Sequence, residues 1–232
     1  VETDRINKVK PDKVRKACER MRRRDIKVMC IVGIAGTTET GNVDPLDELA
    51  DIAEEYDSHL HVDAAWGGAT LLSNKYRSLM KGIERADSVT IDAHKQLYVP
   101  MGIGMVLFKN PNALDAIEHH AQYVIRKGSK DLGSSTLEGS RPGMSMLVYS
   151  GLKIIGRQGY ELLINHGIEL AQRFAGMIEQ REGFELISEP ELNILTYRYI
   201  PAAVRGELTG ASSHKQSKIN KVLNKFTKCI QQ

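Results

Sequence analysis

Three short stretches carry residues that could do chemistry together. They are "AGTTETGN" (35–42) with Thr37 and Thr38, "HVDAAWGG" (61–68) with Asp63, and "DAHK" (92–95) with His94 and Lys95. Taken singly, each has an ordinary structural reading. The glycine-containing loop lacks the lysine of a phosphate-binding P-loop and the spacing of a dinucleotide fingerprint, so alone it is a strand-to-helix turn. Asp63 could cap a helix or form half of an ion pair, His94 could be a satisfied loop histidine, and Lys95 a solvated one. Combined on one rim, a carboxylate, a lysine and hydroxyls make a site suited to a cation and an electrophile.

One chemistry uses such a set directly. A lysine amine can form a Schiff base with the aldehyde of pyridoxal phosphate, and an aspartate facing the pyridine nitrogen keeps it protonated, so that the ring withdraws electrons. The small residues Ala64, Ala65, Gly67 and Gly68 after Asp63 would leave a close, side-chain-poor surface for a flat ring. Once a substrate amine displaces the lysine, the bond on its α-carbon held perpendicular to the ring is the one weakened.

The elements that must position these residues alternate. Residues 12–24 read as a basic helix, and "KVMCIVGI" (27–34) as a strand buried on both faces. A helix follows, with Asp44 as its cap, Pro45 in its first position, and Asp47 and Glu48 complementing its dipole; its apolar stripe is Leu46, Leu49, Ala50 and Ala53. Strands are expected at 59–63, 88–92 and 103–108. Residues 143–181 turn helical, with Leu163, Ile164, Ile168, Ala171, Ala175 and Ile178 as the buried stripe. A strand is expected over 193–201, an unordered polar loop over 202–218, and a last amphipathic helix over 217–230. This alternation predicts an α/β fold with an open, mostly parallel sheet and helices on both faces. In such sheets ligands bind beyond the carboxyl ends of the strands, where all three stretches fall.

Composition narrows the class. With 232 residues, 41% hydrophobic and 26% charged, the chain can bury a sizeable core, and a net charge of +3 gives no reason to expect nucleic acid or an anionic membrane as partner. The basic run "RKACERMRRRDIK" reads as a solvated helix face. No apolar stretch approaches the roughly 18–20 residues that span a bilayer, and no signal peptide is visible, so the cytoplasm is the expected location. Cys18, Cys30 and Cys229 are odd in number and widely spaced, as reduced thiols would be, and His119 and His120 lack further ligands at a metal-binding spacing. The chain starts at Val1 rather than Met, and is expected to be a piece of something longer.

"GTTETGNVDPL", "LHVDAAWGG", "ADSVTIDAHKQLYVPMGIGMVLFK" and "LEGSRPG" together resemble the group II pyridoxal-phosphate-dependent amino acid decarboxylases, over about residues 25 to 200. "KGSKDLGSSTLEGSRPGM" and "EPELNILTYRYIP" resemble the bacterial branch of glutamate decarboxylase-like and aspartate 1-decarboxylases. The resemblance implies a fold-type-I architecture with pyridoxal 5'-phosphate as cofactor. It further implies decarboxylation of an L-amino acid, most often an acidic one, by a homodimer. Aminotransferases and carbon–sulfur lyases of the same fold type use the same Asp and Lys, and a non-catalytic truncated relative would serve only in dimerisation or partner binding.

Carried over residue by residue, the resemblance implies that Lys95 forms the Schiff base, Asp63 pairs with the pyridine nitrogen and Ala65 lies against one ring face. It places His94 at the phosphate or substrate, Thr38 near the phenolic oxygen or substrate carboxylate, and Asp92 on the phosphate side, where a carboxylate would be repulsive. Arg141 matches an arginine after the mobile loop of relatives or, equally, a structural ion pair. Relatives carry a tyrosine on that loop; here Ser129 and Lys130 occupy the region, and Tyr123 lies a few residues early. The expected organisation is residues 1–140 as the second half of the large cofactor domain, 141–182 as a helical connection and 183–232 as a partial small α+β domain. A chain of this extent is expected to bind cofactor weakly or not stably, and to be inactive by itself.

Overall fold

The computed structural model describes residues 1–118, 132–136, 142–208 and 211–230. His119, His120, Tyr123, Ser129, Lys130 and Arg141 lie outside them.

Four strands form the main sheet: β1 (Cys30–Ile34), β2 (His59–Asp63), β3 (Ser88–Asp92) and β4 (Gly104–Phe108), in that spatial order. β1, β2 and β3 are parallel, with Ile34 beside Asp63 and Asp63 beside Thr90. Their carboxyl ends therefore meet on one rim, as the alternation predicts. β4 runs antiparallel to β3, with Asp92 opposite Gly104. The reason is its connection: no helix lies between Asp92 and Gly104, and a parallel return needs a crossover.

The first strand departs from expectation. Instead of being buried on both faces, β1 alternates: Ile31 is buried, while Val32 is 55% and Ile34 37% exposed. Its inner face packs on α2 (Leu46–Glu55), which covers one side of the sheet. Among the described residues its other face is open. An apolar run says that a strand can be covered on both sides, and does not say which chain segment covers it.

The start of α2 also corrects the expectation. Pro45 precedes the helix and no side chain caps it. Asp44 instead accepts the Val9 and Ile34 backbone N–H groups, each at 2.8 Å, joining the amino-terminal segment to β1. Two part-buried donors take the carboxylate in place of one helix terminus. The stripe of α2 is as expected: Leu46, Leu49, Ala50 and Ala53 are buried, with Ile52 beside them. Each large member contributes roughly 1.5–3 kcal/mol by burial, and Leu49→Ala would cost about 2–5 kcal/mol.

The basic helix is α1 (Pro11–Arg22), and the long helix α3 spans Met144–Glu179 with a non-helical break at Gly156. Ile164, Ile168, Ala171, Ala175 and Ile178 are buried as expected, but Leu163 is 39% exposed and Tyr160 takes its place. Residues 160, 164, 168, 171, 175 and 178 keep the helical spacing of three or four that Leu163 breaks. Beyond α3 a second sheet pairs β5 (Phe184–Ser188) with β6 (Thr196–Tyr199), antiparallel. β5 was absent from the sequence reading. Residues 202–218, expected as unordered loop, hold α4 (Ala202–Leu208) and the start of α5 (Ser213–Ile230). The chain after Pro201 turns straight into α4, and ion pairs Arg205–Glu182 and Lys215–Glu207 tie its polar faces down.

Candidate active site

The carboxyl ends of β1, β2 and β3 are stitched to one another through main-chain groups. Ala35 N–H donates to the Asp63 carbonyl at 2.8 Å and Gly67 N–H to the Ala35 carbonyl at 2.9 Å. Asp92 N–H donates to the Ala65 carbonyl at 3.2 Å. The turn after Asp63 is thereby fixed between its two neighbours.

Lys95 stands on the turn that follows β3. Its own N–H donates to the Asp92 carbonyl, and the Tyr98 N–H closes the next turn on the Lys95 carbonyl at 3.1 Å. Tyr98 adopts φ of 55°, a left-handed conformation that costs a non-glycine residue roughly 1–2 kcal/mol and bends the chain sharply away. Lys95 Nζ lies 2.9 Å from Asp92 Oδ2, its side chain one-third exposed. Asp92 therefore meets the lysine itself, and without cofactor its charge is balanced by the amine. His94 is half-buried, with Nδ1 2.9 Å from the Ile103 carbonyl and Nε2 3.9 Å from Asp92 Oδ2. A carbonyl only accepts, so Nδ1 donates in that bond, and Nε2 is the ring nitrogen left for other partners.

Asp63 is half-buried at the tip of β2, and its Oδ1 accepts the Ala65 N–H at 3.1 Å. Its Oδ2 has no partner among the described residues, so one lone-pair face remains for a donor from outside the chain. The small residues behind it divide by role. Ala65 is half-buried on the rim. Ala64 is fully buried, and a Cβ on Gly67 would lie 2.4 Å from the Ala35 carbonyl oxygen and one on Gly68 2.7 Å from Ile91 Cγ1. Their smallness serves the packing of the turn on the sheet, so of these four residues Ala65 is left to meet a ring.

The loop after β1 separates its two threonines. Thr37 is buried, pairs with Thr40 Oγ1 at 2.7 Å and accepts the Asn42 N–H at 3.2 Å. Thr38 is exposed beside it. A strap from the segment after β5 holds this loop from outside. Glu191 accepts the Val43 N–H at 2.8 Å and the Asn42 side-chain amide at 3.3 Å, and pairs with Lys8. Asn193 Oδ1 accepts the Trp66 indole N–H at 2.8 Å.

Sequence reasoning missed two groups. Ser88 Oγ lies 2.7 Å from His59 Nε2 and 2.8 Å from His61 Nδ1, and Thr90 Oγ1 lies 3.3 Å from His61 Nε2. These residues share the sheet face of Asp63, and the spacing of His59, His61 and Asp63 on one strand was the available signal. The other is Gln96, which is buried and donates through Nε2 to the Trp66 carbonyl at 3.0 Å. No motif marks it.

The conserved domain of pyridoxal-dependent decarboxylases matches residues 1–200. The chain belongs to this family. The aspartate 1-decarboxylase of Aliivibrio fischeri is 57% identical over 231 residues, covering 100% of this chain and 42% of that protein. The human acidic amino acid decarboxylase GADL1 is 34% identical over 212 residues, 88% of this chain and 41% of its own. The solved structure of mouse CSAD in apo form superposes with a TM-score of 0.85 at 28% identity, across 96% of this chain and 47% of that one. The chain thus spans less than half the length of these relatives. The fold-type-I architecture expected from the sequence is that of the family.

The family cofactor is pyridoxal phosphate, and the rim fits it chemically. A reachable primary amine at Lys95, an unpartnered carboxylate oxygen at Asp63 and a small side chain at Ala65 answer the aldehyde, the pyridine nitrogen and the ring face. No helix among the described residues is long and apolar enough to cross a membrane.

Proposed function

We propose that this chain carries the cofactor lysine and the ring-nitrogen aspartate of a pyridoxal-phosphate-dependent decarboxylase acting on an acidic L-amino acid, with aspartate the first candidate. The observation that carries the reading is the joint presentation of Lys95 and Asp63 on one stitched rim. Bound there, pyridoxal phosphate supplies an electrophilic carbon for primary amines and a cationic ring that draws electrons from the α-carbon.

Each residue has a stated task. Lys95 would hold the cofactor covalently through Nζ, leaving its ion pair with Asp92. Asp63 would keep a proton on the ring nitrogen through Oδ2, while its Oδ1 stays on the Ala65 N–H. Ala65 would face the ring, and exposed Thr38 would reach the phenolic oxygen or a substrate carboxylate. His94 would contact the phosphate or the bound substrate through its ring.

Acidic substrates are favoured by the names of the relatives taken with their identities: the 57% match is an aspartate decarboxylase, whereas the diaminobutyrate and aromatic decarboxylases stand at 34% and 32%. The whole protein is further proposed to be a homodimer in the cytoplasm, with residues 1–140 in the cofactor domain and 183–232 in the small one. The test is carbon dioxide release by the whole gene product from L-aspartate, L-glutamate, L-2,4-diaminobutyrate and an aromatic amino acid, with keto-acid formation followed in parallel. Carbon dioxide from L-aspartate or L-glutamate is expected. Keto acid without carbon dioxide, or release only from basic or aromatic substrates, would overturn the reading.

A further inference from the structure

Lys95 is held on one side by Asp92, whose backbone N–H is bonded to the Ala65 carbonyl. On the other side stands Gln96. The residue is 6% exposed, and its side chain points back across the rim to donate to the Trp66 carbonyl at 3.0 Å. Trp66 is in turn fixed by its indole N–H on Asn193. Leu97 and Val99, the buried residues that follow on the same turn, are apolar, and the Leu97 carbonyl accepts the fully buried Tyr160 hydroxyl at 2.9 Å. Burial pushes the Tyr160 phenol up, so it stays a donor.

We propose that Gln96 is a positioning residue for Lys95, its amide locking the lysine turn to the Asp63–Trp66 wall so that amine and carboxylate face one cofactor from fixed places. A buried glutamine gives up hydration that a leucine or methionine would not, so packing alone is a poor reason for an amide here. Among the described residues, Ala64 N–H on the Thr90 carbonyl and Asp92 N–H on the Ala65 carbonyl tie the turn after β2 to the chain before Lys95, and Gln96 Nε2 on the Trp66 carbonyl ties it to the chain after Lys95. With the Gln96 bond gone, the residues after Lys95 lose their tie to the Asp63–Trp66 wall, while Asp92 N–H on the Ala65 carbonyl, His94 on the Ile103 carbonyl and Tyr160 on the Leu97 carbonyl remain. A reacting group displaced by about 1 Å loses on the order of a hundredfold in rate.

The inference rests on the proposed function, and the test separates the two. In the whole gene product, Gln96→Met keeps the side-chain volume and removes the donor, while Gln96→Asn keeps the amide but falls one methylene short. Wild type, Lys95→Ala and both Gln96 variants are loaded with pyridoxal phosphate. Four quantities are read: covalent trapping at Lys95 by borohydride, cofactor loss on dilution, thermal midpoint without cofactor, and kcat with KM. If wild type traps no cofactor, the proposed function fails and takes the inference with it. If wild type traps it, both Gln96 variants are expected to trap at least about threefold more slowly and lose cofactor about tenfold faster. Their kcat should fall about 10- to 100-fold with KM within about threefold, as for a misplaced catalytic group. Their cofactor-free midpoint should stay within about 3 °C. Trapping, cofactor loss and kcat all within twofold of wild type would overturn the inference alone. Failure of both variants to fold would overturn it too, because the amide would then be structural.

Discussion

Lys95 Nζ and Asp92 Oδ2 sit 2.9 Å apart across the end of β3, in a partly exposed ion pair. The cofactor-free chain therefore parks its reactive amine on a carboxylate three residues away. The amine attacks through its nitrogen, so cofactor capture has to draw Nζ out of this contact.

Asp92→Asn tests the parking directly. The amide keeps the shape of the side chain and removes the charge, so Lys95 should be trapped by pyridoxal phosphate and borohydride about two- to fivefold faster at neutral pH, consistent with an ion pair worth roughly a kcal/mol or less when partly exposed. The difference should shrink in high salt, which screens the pair in wild type. Slower trapping in the variant would show Asp92 to be a helper of capture.

The small residues after Asp63 divide stability from binding. Gly67→Ala places a Cβ 2.4 Å from the Ala35 carbonyl oxygen, so it should lower the unfolding free energy by roughly 1–3 kcal/mol or more. Ala65→Val adds its bulk on the rim, where it should change stability by less than about 1 kcal/mol and weaken pyridoxal phosphate binding about tenfold or more. Denaturant titration and cofactor titration of both variants check this; the reverse pattern would show that Ala65 faces the sheet.

Asp44 gives a pH signature. Burial pushes its carboxyl up, against the opposing pull of the Val9 and Ile34 N–H groups and of Lys8. The folded chain thus holds this proton more tightly than the unfolded one, and the corresponding stability is present at low pH and lost as pH rises from about 4 through the raised folded value. Asp44→Ala should remove that dependence. It also strands two N–H donors, so it should cost about 2–5 kcal/mol in total at neutral pH. Equilibrium unfolding between about pH 4 and 7 measures both effects.

Much of this was legible because local pattern and topology agreed. The runs 59–63 and 88–92 have short, turn-bounded strand character, and the parallel sheet that follows from alternation brings Thr38, Asp63 and Lys95 to one rim without further information. What escaped depended on partners distant in sequence. Asp44 looked like a cap because Val9 and Ile34, its real partners, cannot be seen from a window around it. The open outer face of β1 escaped because hydrophobicity reports what can be buried, and nothing in Val32 or Ile34 names a covering segment. Gln96 is one amide among polar residues until its bond to Trp66 is drawn. The helix over 202–208 was lost in a polar stretch whose order comes from ion pairs and from Pro201.

The measurement that bears most directly on the site is peptide mapping after borohydride reduction of the whole gene product with pyridoxal phosphate. A single phosphopyridoxyl label on Lys95, lost in Lys95→Ala and slowed in Asp63→Asn, is the expected result. A label on any other lysine, with Lys95 unmodified, would contradict the assignment.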